Sequence, residues 1–387
     1  YGGTSASPTT KVDSTTSVSD TTKTITGLTN GTTYYYRISA ADNAGNESGY
    51  SNEVSITPSS YYGPVWYVAT TGSDADNEGS SGYPFVTIQH SIDAASNGDT
   101  VLVAVGTYLE NITWPATNGI TLIGSGEENC IIDGNQQASV IRFEADLGGI
   151  IDTTTLITGF TIQNGNAEGE EGDYPYYNGG GMYLWESSPT LTDITFSGNT
   201  ANEGGGIYSN SSSANITNCE IIGNNASVDG GGLLIVGNSD IFLTKTIIRS
   251  NSASGGAAFG IENSNVKIDR ATVLFNEASA HGGGLYLWNN GQVNVIQSII
   301  AENTPQQIFT EEEFNPNIVS IQYANIDGGQ DSIVTNDNGT VTWGAGNIDV
   351  DPRFIDSENS NYHLLASSKC INGGHPDSSD SDGSRAD

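Results

Sequence analysis

Cations are scarce in this sequence: its 387 residues carry 11 Lys and Arg against 45 Asp and Glu, a formal net charge of -34. A surface of that sign repels nucleic acid phosphates and anionic membranes over a Debye length or more, which excludes duplex binding and polybasic membrane anchoring. It suits divalent cations or a saline medium, where counterions screen the self-repulsion of the compact state. Cysteine is just as sparse. Cys130, Cys219 and Cys370 stand far apart with no C-x-x-C spacing, so neither a zinc site nor a disulfide framework is indicated; they read as core fillers. No apolar run reaches the ~18 residues of a membrane span, and membrane insertion is not expected.

What the sequence does have is an echo. "FSGNTANEGGGI" at residues 196–207 returns as "IIGNNASVDGGGL", "IRSNSASGGAA" and "LFNEASAHGGGL". The asparagines Asn199, Asn224, Asn251, Asn276 and Asn303 are spaced by 25, 27, 25 and 27 residues, and glycine pairs begin at 179, 204, 230, 255 and 282. Helical repeats run longer and tolerate β-branched residues and glycine poorly, so this period, rich in Ile, Thr, Asn and Gly, means one β-coil per repeat. Each coil adds about 4.8 Å of rise.

Counting back from each Asn identifies the interior. Phe196, Ile221, Ile248, Val273 and Ile300 stand three before it; Leu191, Ile216, Leu243, Ile268 and Val295 stand eight before it. A smaller column, Ile194, Cys219, Thr246, Ala271 and Ser298, suits an inward position squeezed near a turn. The Asn itself is expected to turn each corner in a left-handed conformation and to hydrogen-bond from coil to coil. Losing one such side chain should cost about 1 kcal/mol. The glycines permit a second tight corner.

Two modules are expected. Residues 1–58 include "TITGLTNGTTYYYRISAADNAGNESGYSNEVSITP", alternating strands between Asn-Gly turns, with Tyr34 six residues after Leu28 as in a tyrosine corner. This stretch resembles the second half of a fibronectin type III domain. Residues 59–64 form a linker, and residues 65–387 the solenoid. Within it, 65–98 would form a cap whose helix buries Ile88, Ile92 and Ala95, the regular coils occupy about 179–303, and a closing segment runs over about 345–387. "WYVATTGSDADNEGSSGYPFVTIQHSIDAASNGDTVLVAVGTYLENI", "GFTIQNG" and "DPRFIDSENSNYHLLASSKCINGGHPD" resemble secreted bacterial pectate-lyase-like right-handed β-helix proteins. The F-x-x-N and G-G-x-I phrases also resemble polymorphic outer-membrane adhesins. The expected fold is all-β: a right-handed parallel β-helix with an N-terminal helical cap, preceded by a partial β-sandwich. The half domain and a missing final strand would leave open edges, so the chain is expected to be part of a longer protein or to be completed by neighbouring copies.

Candidate chemistry lies in outward columns. After the glycines come Tyr183, Tyr208, Leu234, Phe259 and Tyr286, with Trp185 and Trp288 two places on at the flanks. Such a strip stabilises a sheet through cross-strand contacts, and it can also serve as a platform for sugar rings. The insert "NAEGEEGDYPYYN", residues 166–178, would wall a groove beside it. A second constellation is basic: Lys245, Arg249, Lys267 and Arg270 fall within 26 residues of one another, and Lys245 and Arg270 share one column. In the lyases that the fold resembles, such a base takes the proton α to a uronic acid carboxylate while Ca²⁺ neutralises that carboxylate. No convergent set of carboxylates for that ion can be assembled from the columns. Two acidic loops have an oxygen-donor pattern suited to structural calcium, one through Asp74, Asp76 and Glu78, the other through Asp380, Asp382 and Asp387, although neither fits the EF-hand spacing. His281 reads as a turn residue.

The sequence therefore points to an extracellular or cell-surface protein that binds a polysaccharide or surface glycan, or supports adhesion, with no required cofactor and calcium as the ion its loops would accept. The alternative is a polysaccharide lyase acting on acidic polysaccharide by β-elimination.

Overall fold

A computed structural model describes residues 1–387 except 16, 18, 21, 30, 31, 58–62, 145–150, 169–176, 358–360 and 379–387. The chain divides into two compact units: Tyr1–Tyr62 with Ala75–Glu78, and Gly63–Asp74 with Gly79–Asp387.

The first unit holds an antiparallel sheet of three strands, Gly2–Gly3, Tyr34–Tyr36 and Val54–Ile56, with the middle one in sequence also central in space. The Tyr34 hydroxyl accepts a hydrogen bond from the Thr29 N–H at 2.9 Å, a backbone tie a few residues upstream of the kind a tyrosine corner makes.

The second unit is a parallel β-solenoid of about nine turns. Its coils stack into parallel ladders in which a strand pairs with the equivalent strand one coil later, while Phe354–Asp356 and Asn361–Leu364 form a separate antiparallel pair. Sheet A has nine strands, among them Met182–Trp185, Ile207–Asn210, Leu233–Val236, Phe259–Glu262 and Leu285–Trp288. Sheet B includes Asn215–Thr217, Asp240–Thr244, Asn265–Asp269 and Gln292–Ile296, and sheet C includes Glu220–Ile222, Ile247–Arg249, Thr272–Leu274 and Ile299–Ala301. The eight-residue strands Leu156–Gln163 and Thr190–Ser197 run through both B and C. A narrow fourth ladder of five short strands lies between C and A. Strands follow the expected logic: each alternates an inward aliphatic residue with an outward one, and the two core columns from Phe196 to Ile300 and from Leu191 to Val295 are fully buried throughout.

The corners correct the expectation for asparagine. None of Asn199, Asn224, Asn251, Asn276 or Asn303 has a positive φ; the residue before each one does, Gly198, Gly223, Ser250, Phe275 and Glu302, at φ between 54° and 63°. The left-handed turn is thus made one residue earlier, which releases the Asn side chain to point inward. There it is buried and hydrogen-bonded along the axis. Asn251 Nδ2 donates to Asn276 Oδ1 and to the Ile221 carbonyl, both at 2.9 Å, while Asn251 Oδ1 accepts from the backbone N–H and Nδ2 of Asn224 at 2.9 and 3.0 Å. The ladder runs on through Asn303, whose Nδ2 donates to Gln307 Oε1 at 2.8 Å.

The B–C corner also uses one left-handed residue per coil: Asp193, Asn218, Lys245, Arg270, Gln297 and Tyr323, with φ between 50° and 53°. The small column that follows is buried as expected, and its hydroxyls do part of the joining, as when Ser298 Oγ accepts from the Ala271 N–H at 3.0 Å. Cys219 sits in this column, and Cys130, Cys219 and Cys370 are all buried free thiols.

The helix Ile88–Ala94 buries Ile88 and Ile92 against Val65–Val68, Thr100–Val103 and Ile112–Thr113, the strands with which the ladders begin. Its N-terminal amides are held by side chains: Asp74 accepts from Val86 and Thr87, Glu110 accepts from Ile88 and Gln89, and Thr87 accepts from His90. This satisfies the orphan donors of the first turn and favours negative charge there. Among the described residues no helix is long and apolar enough to cross a membrane.

Four hydrogen bonds at one buried amide imply more than the single bond expected from sequence. Asn251→Ala should destabilise the solenoid by about 3 kcal/mol, because the Asn224 N–H and Ile221 carbonyl would lose their partner in a dry interior. Chemical denaturation checks it; a loss near 1 kcal/mol would mean that water or a neighbour replaces the ladder.

Candidate functional site

The outer face of sheet A is built from three columns that the register fixes. A corner column, one residue before the left-handed glycine, contains Asn178, Glu203, Asp229, Gly255 and His281. The next contains Arg142, Tyr183, Tyr208, Leu234, Gly260, Tyr286 and Phe309, and the third contains Trp185, Asn210, Val236, Glu262 and Trp288.

Two of the sequence expectations change here. In the fourth coil the left-handed glycine is Gly256 rather than Gly255, so Phe259 pairs with Leu233 and points into the core, fully buried, while Gly260 takes the outward place. Phe259 is not part of a surface strip. The alternation Phe259, Gly260, Ile261 carried that signal, matching Leu233, Leu234, Ile235. Second, the outward column is not an open platform at its N-terminal end. Tyr183 is fully buried, Tyr208 is 5% exposed and Leu234 2% exposed; with Val236 they form a separate outer cluster on which Trp185 and Trp288 pack. Tyr183 and Tyr208 stack at 5.4 Å, and the Arg142 guanidinium lies over the Tyr183 ring at 4.1 Å while pairing with Glu144 at 2.6 Å.

The half-exposed aromatics are Trp185, Tyr286 and Trp288. Tyr286 and Trp288 stack at 4.7 Å, and His281 stacks on Phe309 at 4.5 Å beside them. Two glycines in one coil make room for this group. A Cβ on Gly255 would meet Asp229 Oδ1 at 2.5 Å and Tyr286 Cδ1 at 2.8 Å; one on Gly260 would meet Leu234 Cδ1 at 2.7 Å and Trp288 Cη2 at 3.3 Å. The rings of Tyr286 and Trp288 therefore lie close over the bare backbone of the preceding coil.

Carboxylates stand in the same outer columns, Asp229 and Glu311 next to Tyr286, and sequence reading missed them. Glu203 and Asp229 occupy successive coils of the corner column, where the Gly204 N–H donates to the Asp229 carbonyl at 3.0 Å. Glu262 accepts from Asn289 Nδ2 at 3.1 Å, and Glu311 accepts from the Tyr286 hydroxyl at 2.8 Å. Burial pushes the Asp229 carboxyl up to about 6, with the negative charges of Glu203 and Glu262 adding to the effect. Burial likewise raises Glu203, against the hydrogen bond from Asn178. Burial and then the bond to Glu311 hold the Tyr286 phenol well above its usual range. The signal in the sequence was the acid that precedes the glycines in "NEGGG" and "VDGGG", hidden because the glycines drew the alignment.

The basic candidates sit elsewhere. Lys245 and Arg270 do occupy successive coils of one column, at the B–C corner, on a different side of the solenoid from sheet A. Arg270 pairs with Asp269 at 3.5 Å, and Asp269 accepts from Gln297 Nε2 at 3.1 Å. The closing segment lies along this edge: the His375 N–H donates to Gln297 Oε1 at 2.9 Å, and the Arg249 guanidinium lies over Tyr362 at 5.4 Å. Arg249 also pairs with Glu220 at 2.6 Å, and the Lys267 ammonium lies 4.8 Å from the centre of the Phe242 ring.

Among the described residues no group of three or more His, Cys, Asp or Glu side chains is placed to hold a metal ion. Of the first calcium loop, Asp74 clamps the helix start, with Oδ1 and Oδ2 occupied by Val86 and Thr87, and Asp76 and Glu78 belong to the first unit. Asp380, Asp382 and Asp387 lie outside the described residues, as does the centre of the 166–178 insert, residues 169–176.

No protein-family model matches the chain. A stretch of 114 residues is 36% identical to the uncharacterized protein YwoF of Bacillus subtilis strain 168, covering 28% of this chain and 24% of that protein. The chain thus matches about a quarter of that relative's length. Among solved structures, the pectate lyase Pel9A superposes with a TM-score of 0.53 at 17% identity, over 82% of this chain and 92% of its own. A pectin methylesterase from carrot gives 0.44 at 17% identity, over 74% and 90%. The likeness to Pel9A shows a pectate-lyase-like β-helix fold.

Two outcomes follow from this geometry. Tyr208→Ala should cost about 3–5 kcal/mol, as a buried ring does on truncation, and a melting temperature close to wild type would contradict its burial. Asp229 has a folded pKa above its ordinary value, so the native state binds the extra proton and stability falls as pH rises from about 4 through 6. Asp229→Asn should remove that decline and stabilise the protein at pH 7 by at most about 3 kcal/mol; denaturation at pH 4 and pH 7 tests it, an unchanged pH dependence being the contrary result.

Proposed function

We propose that this β-helix binds polysaccharide on the outer face of sheet A, at the surface of a cell or in the medium around it. The observation that carries the proposal is the pair of partly exposed rings, Tyr286 and Trp288, stacked at 4.7 Å and held close over Gly255 and Gly260, with Asp229 beside Gly255, Glu262 paired in register with Trp288, and Glu311 bonded to the Tyr286 hydroxyl. Flat amphipathic rings accept the apolar faces of sugars, and carboxylates accept their hydroxyl protons. Parallel coils repeat about every 4.8 Å along the axis, so successive coils present contacts to a chain-like ligand. Pel9A, the neighbour with a well-superposed fold, is a pectate lyase by name, which supports a polysaccharide as the class of partner.

The lyase alternative has less support. Its base candidates, Lys245 and Arg270, stand at the B–C corner, and the aromatic rings stand on sheet A, so the two sets do not converge on one sugar. Arg270 is moreover engaged by Asp269.

Retention in gels containing soluble polysaccharides tests the reading. The double variant Tyr286→Ala, Trp288→Ala should lose retention while still folded at the assay temperature, the loss of two partly buried rings costing some stability, while Lys245→Ala should migrate as wild type. Unchanged retention of the double variant, or release of an unsaturated uronide that disappears in Lys245→Ala, would overturn it.

A further inference from the structure

We infer that Glu311 is a positioning residue of the sheet A platform: its carboxylate ties down the Tyr286 hydroxyl and so holds that ring in the stacked pose against Trp288 that a sugar would meet. The inference rests on the polysaccharide-binding reading above and names the group that fixes its geometry.

Tyr286 needs such a tie because its neighbours do not hold it. Tyr183 and Tyr208, by contrast, support one another face to face at 5.4 Å with 3° between their planes. In the coil before Tyr286 the facing positions are Gly255 and Gly260, so no side chain there backs the ring. Trp288 reaches across Gly260 to pack on the outer cluster of Tyr183, Tyr208, Leu234 and Val236. In the coil after, Phe309 meets the Tyr286 ring tilted by 54° at 5.9 Å and stacks instead on His281 at 4.5 Å. A half-exposed ring with so little packing on its faces has more than one rotamer open to it.

Glu311 removes that freedom from the far end of the ring. Its Oε2 accepts from the Tyr286 hydroxyl at 2.8 Å, and its Oε1 accepts from the Glu312 N–H at 3.0 Å. Hydrogen bonds to an ionised carboxylate are the strong kind. The post itself is anchored: the Glu311 N–H donates to the Leu287 carbonyl at 2.9 Å, and the Glu311 carbonyl accepts from Asn338 Nδ2 at 3.0 Å. Glu311 also opens a connection, residues 311–316, that is longer than the equivalent 263–264 and 289–291 of the two coils before. This loop returns to the strand that carries the rings, where Asn315 Nδ2 donates to Asn289 Oδ1 at 2.9 Å and the Asn315 carbonyl accepts from the Asn290 N–H at 3.1 Å. One loop thus grips the platform strand twice, at the Tyr286 hydroxyl and just beyond Trp288. Fixed at both its Cα and its hydroxyl, Tyr286 keeps its 4.7 Å stack on Trp288 before any ligand arrives, and binding does not have to order it.

Two readouts test this. Retention is measured in gels cast with β-glucan, xylan, glycol chitosan or polygalacturonate, and near-ultraviolet circular dichroism reports the packed Tyr–Trp pair without any ligand. Glu311→Ala should weaken retention about fivefold, the order of the ordering cost of one side chain, and should lose the dichroic signal that Trp288→Ala also loses. Glu311→Gln, which keeps an acceptor oxygen for the phenol, should preserve the signal and stay within about twofold of wild-type retention. Tyr286→Phe keeps the ring and deletes the tie, so it should weaken retention at least as much as Glu311→Ala, and adding Glu311→Ala to it should weaken retention no further. Wild-type dichroism in Glu311→Ala overturns the inference, as does a Glu311→Gln variant as impaired as Glu311→Ala. Additive losses in the double variant overturn it too, since Glu311 would then act without Tyr286. If the wild-type protein is retained in none of the gels, the polysaccharide reading falls, and the dichroism of the Glu311 variants still decides whether this carboxylate positions the ring.

Discussion

Each coil of this solenoid leaves its backbone N–H and C=O groups pointing along the axis, and only the neighbouring coil can satisfy them. That one requirement governs the rest. It forces corresponding residues into columns, so a side chain that fits one coil must fit against its own counterpart in the next. Where the column is buried, the solution is aliphatic packing or, at Asn199 to Asn303, an amide whose oxygen accepts from the coil before and whose Nδ2 donates to the coil after. An amide serves where a hydroxyl would not, because it offers two donors and two acceptor lone pairs at fixed angles. The corners obey the same rule. A single left-handed residue turns the chain without consuming length, and the following side chain is then free to join the axial ladder.

Because columns are enforced, a site on the outside emerges where one column is interrupted. The coil from Gly255 to Glu262 has glycine at both outward places where its predecessor has Asp229 and Leu234. The backbone hydrogen bonds are unaffected, so the coil costs the fold little. The vacated space is taken by Tyr286 and Trp288 from the next coil, which lean back over the glycines and expose an aromatic edge beside Asp229. On the N-terminal side, where the columns are continuous, Tyr183 and Tyr208 pack into a closed cluster. Thus the same aromatic column is structural at one end and available at the other.

Much of the architecture was legible because it is periodic. The core columns, the small inward column containing Cys219, the helix burying Ile88 and Ile92, and the one-coil repeat all follow from spacing alone. The errors occur where spacing is blind. Asparagine was assigned the left-handed turn on propensity, yet Gly198, Ser250 and Phe275 adopt it, since turn geometry is set by the chain path and tolerates even Phe. Phe259 was placed outward because its coil was aligned on Gly255, one residue early. Tyr183 and Tyr208 were expected to be exposed because outward-facing was equated with solvent-facing, whereas neighbours within the same face cover them. Glu203 and Asp229 escaped notice for a different reason: an acid beside a glycine in an acidic protein carries no sequence contrast, and its meaning comes only from burial and from standing one coil away from another.

Electrostatics sets the cost of the acid column that runs along this face. Two carboxylates one coil apart, about 5 Å, repel by roughly 3 kcal/mol at an effective dielectric constant near 20. Burial first, and then the charges of Glu203 and Glu262, push the Asp229 carboxyl up to about 6, so it keeps its proton to a higher pH than an exposed acid does. The fold does not require acids in this column, since Asn178, Gly255 and His281 fill the same place in other coils; the charge is a choice of this sequence laid on a shared solenoid.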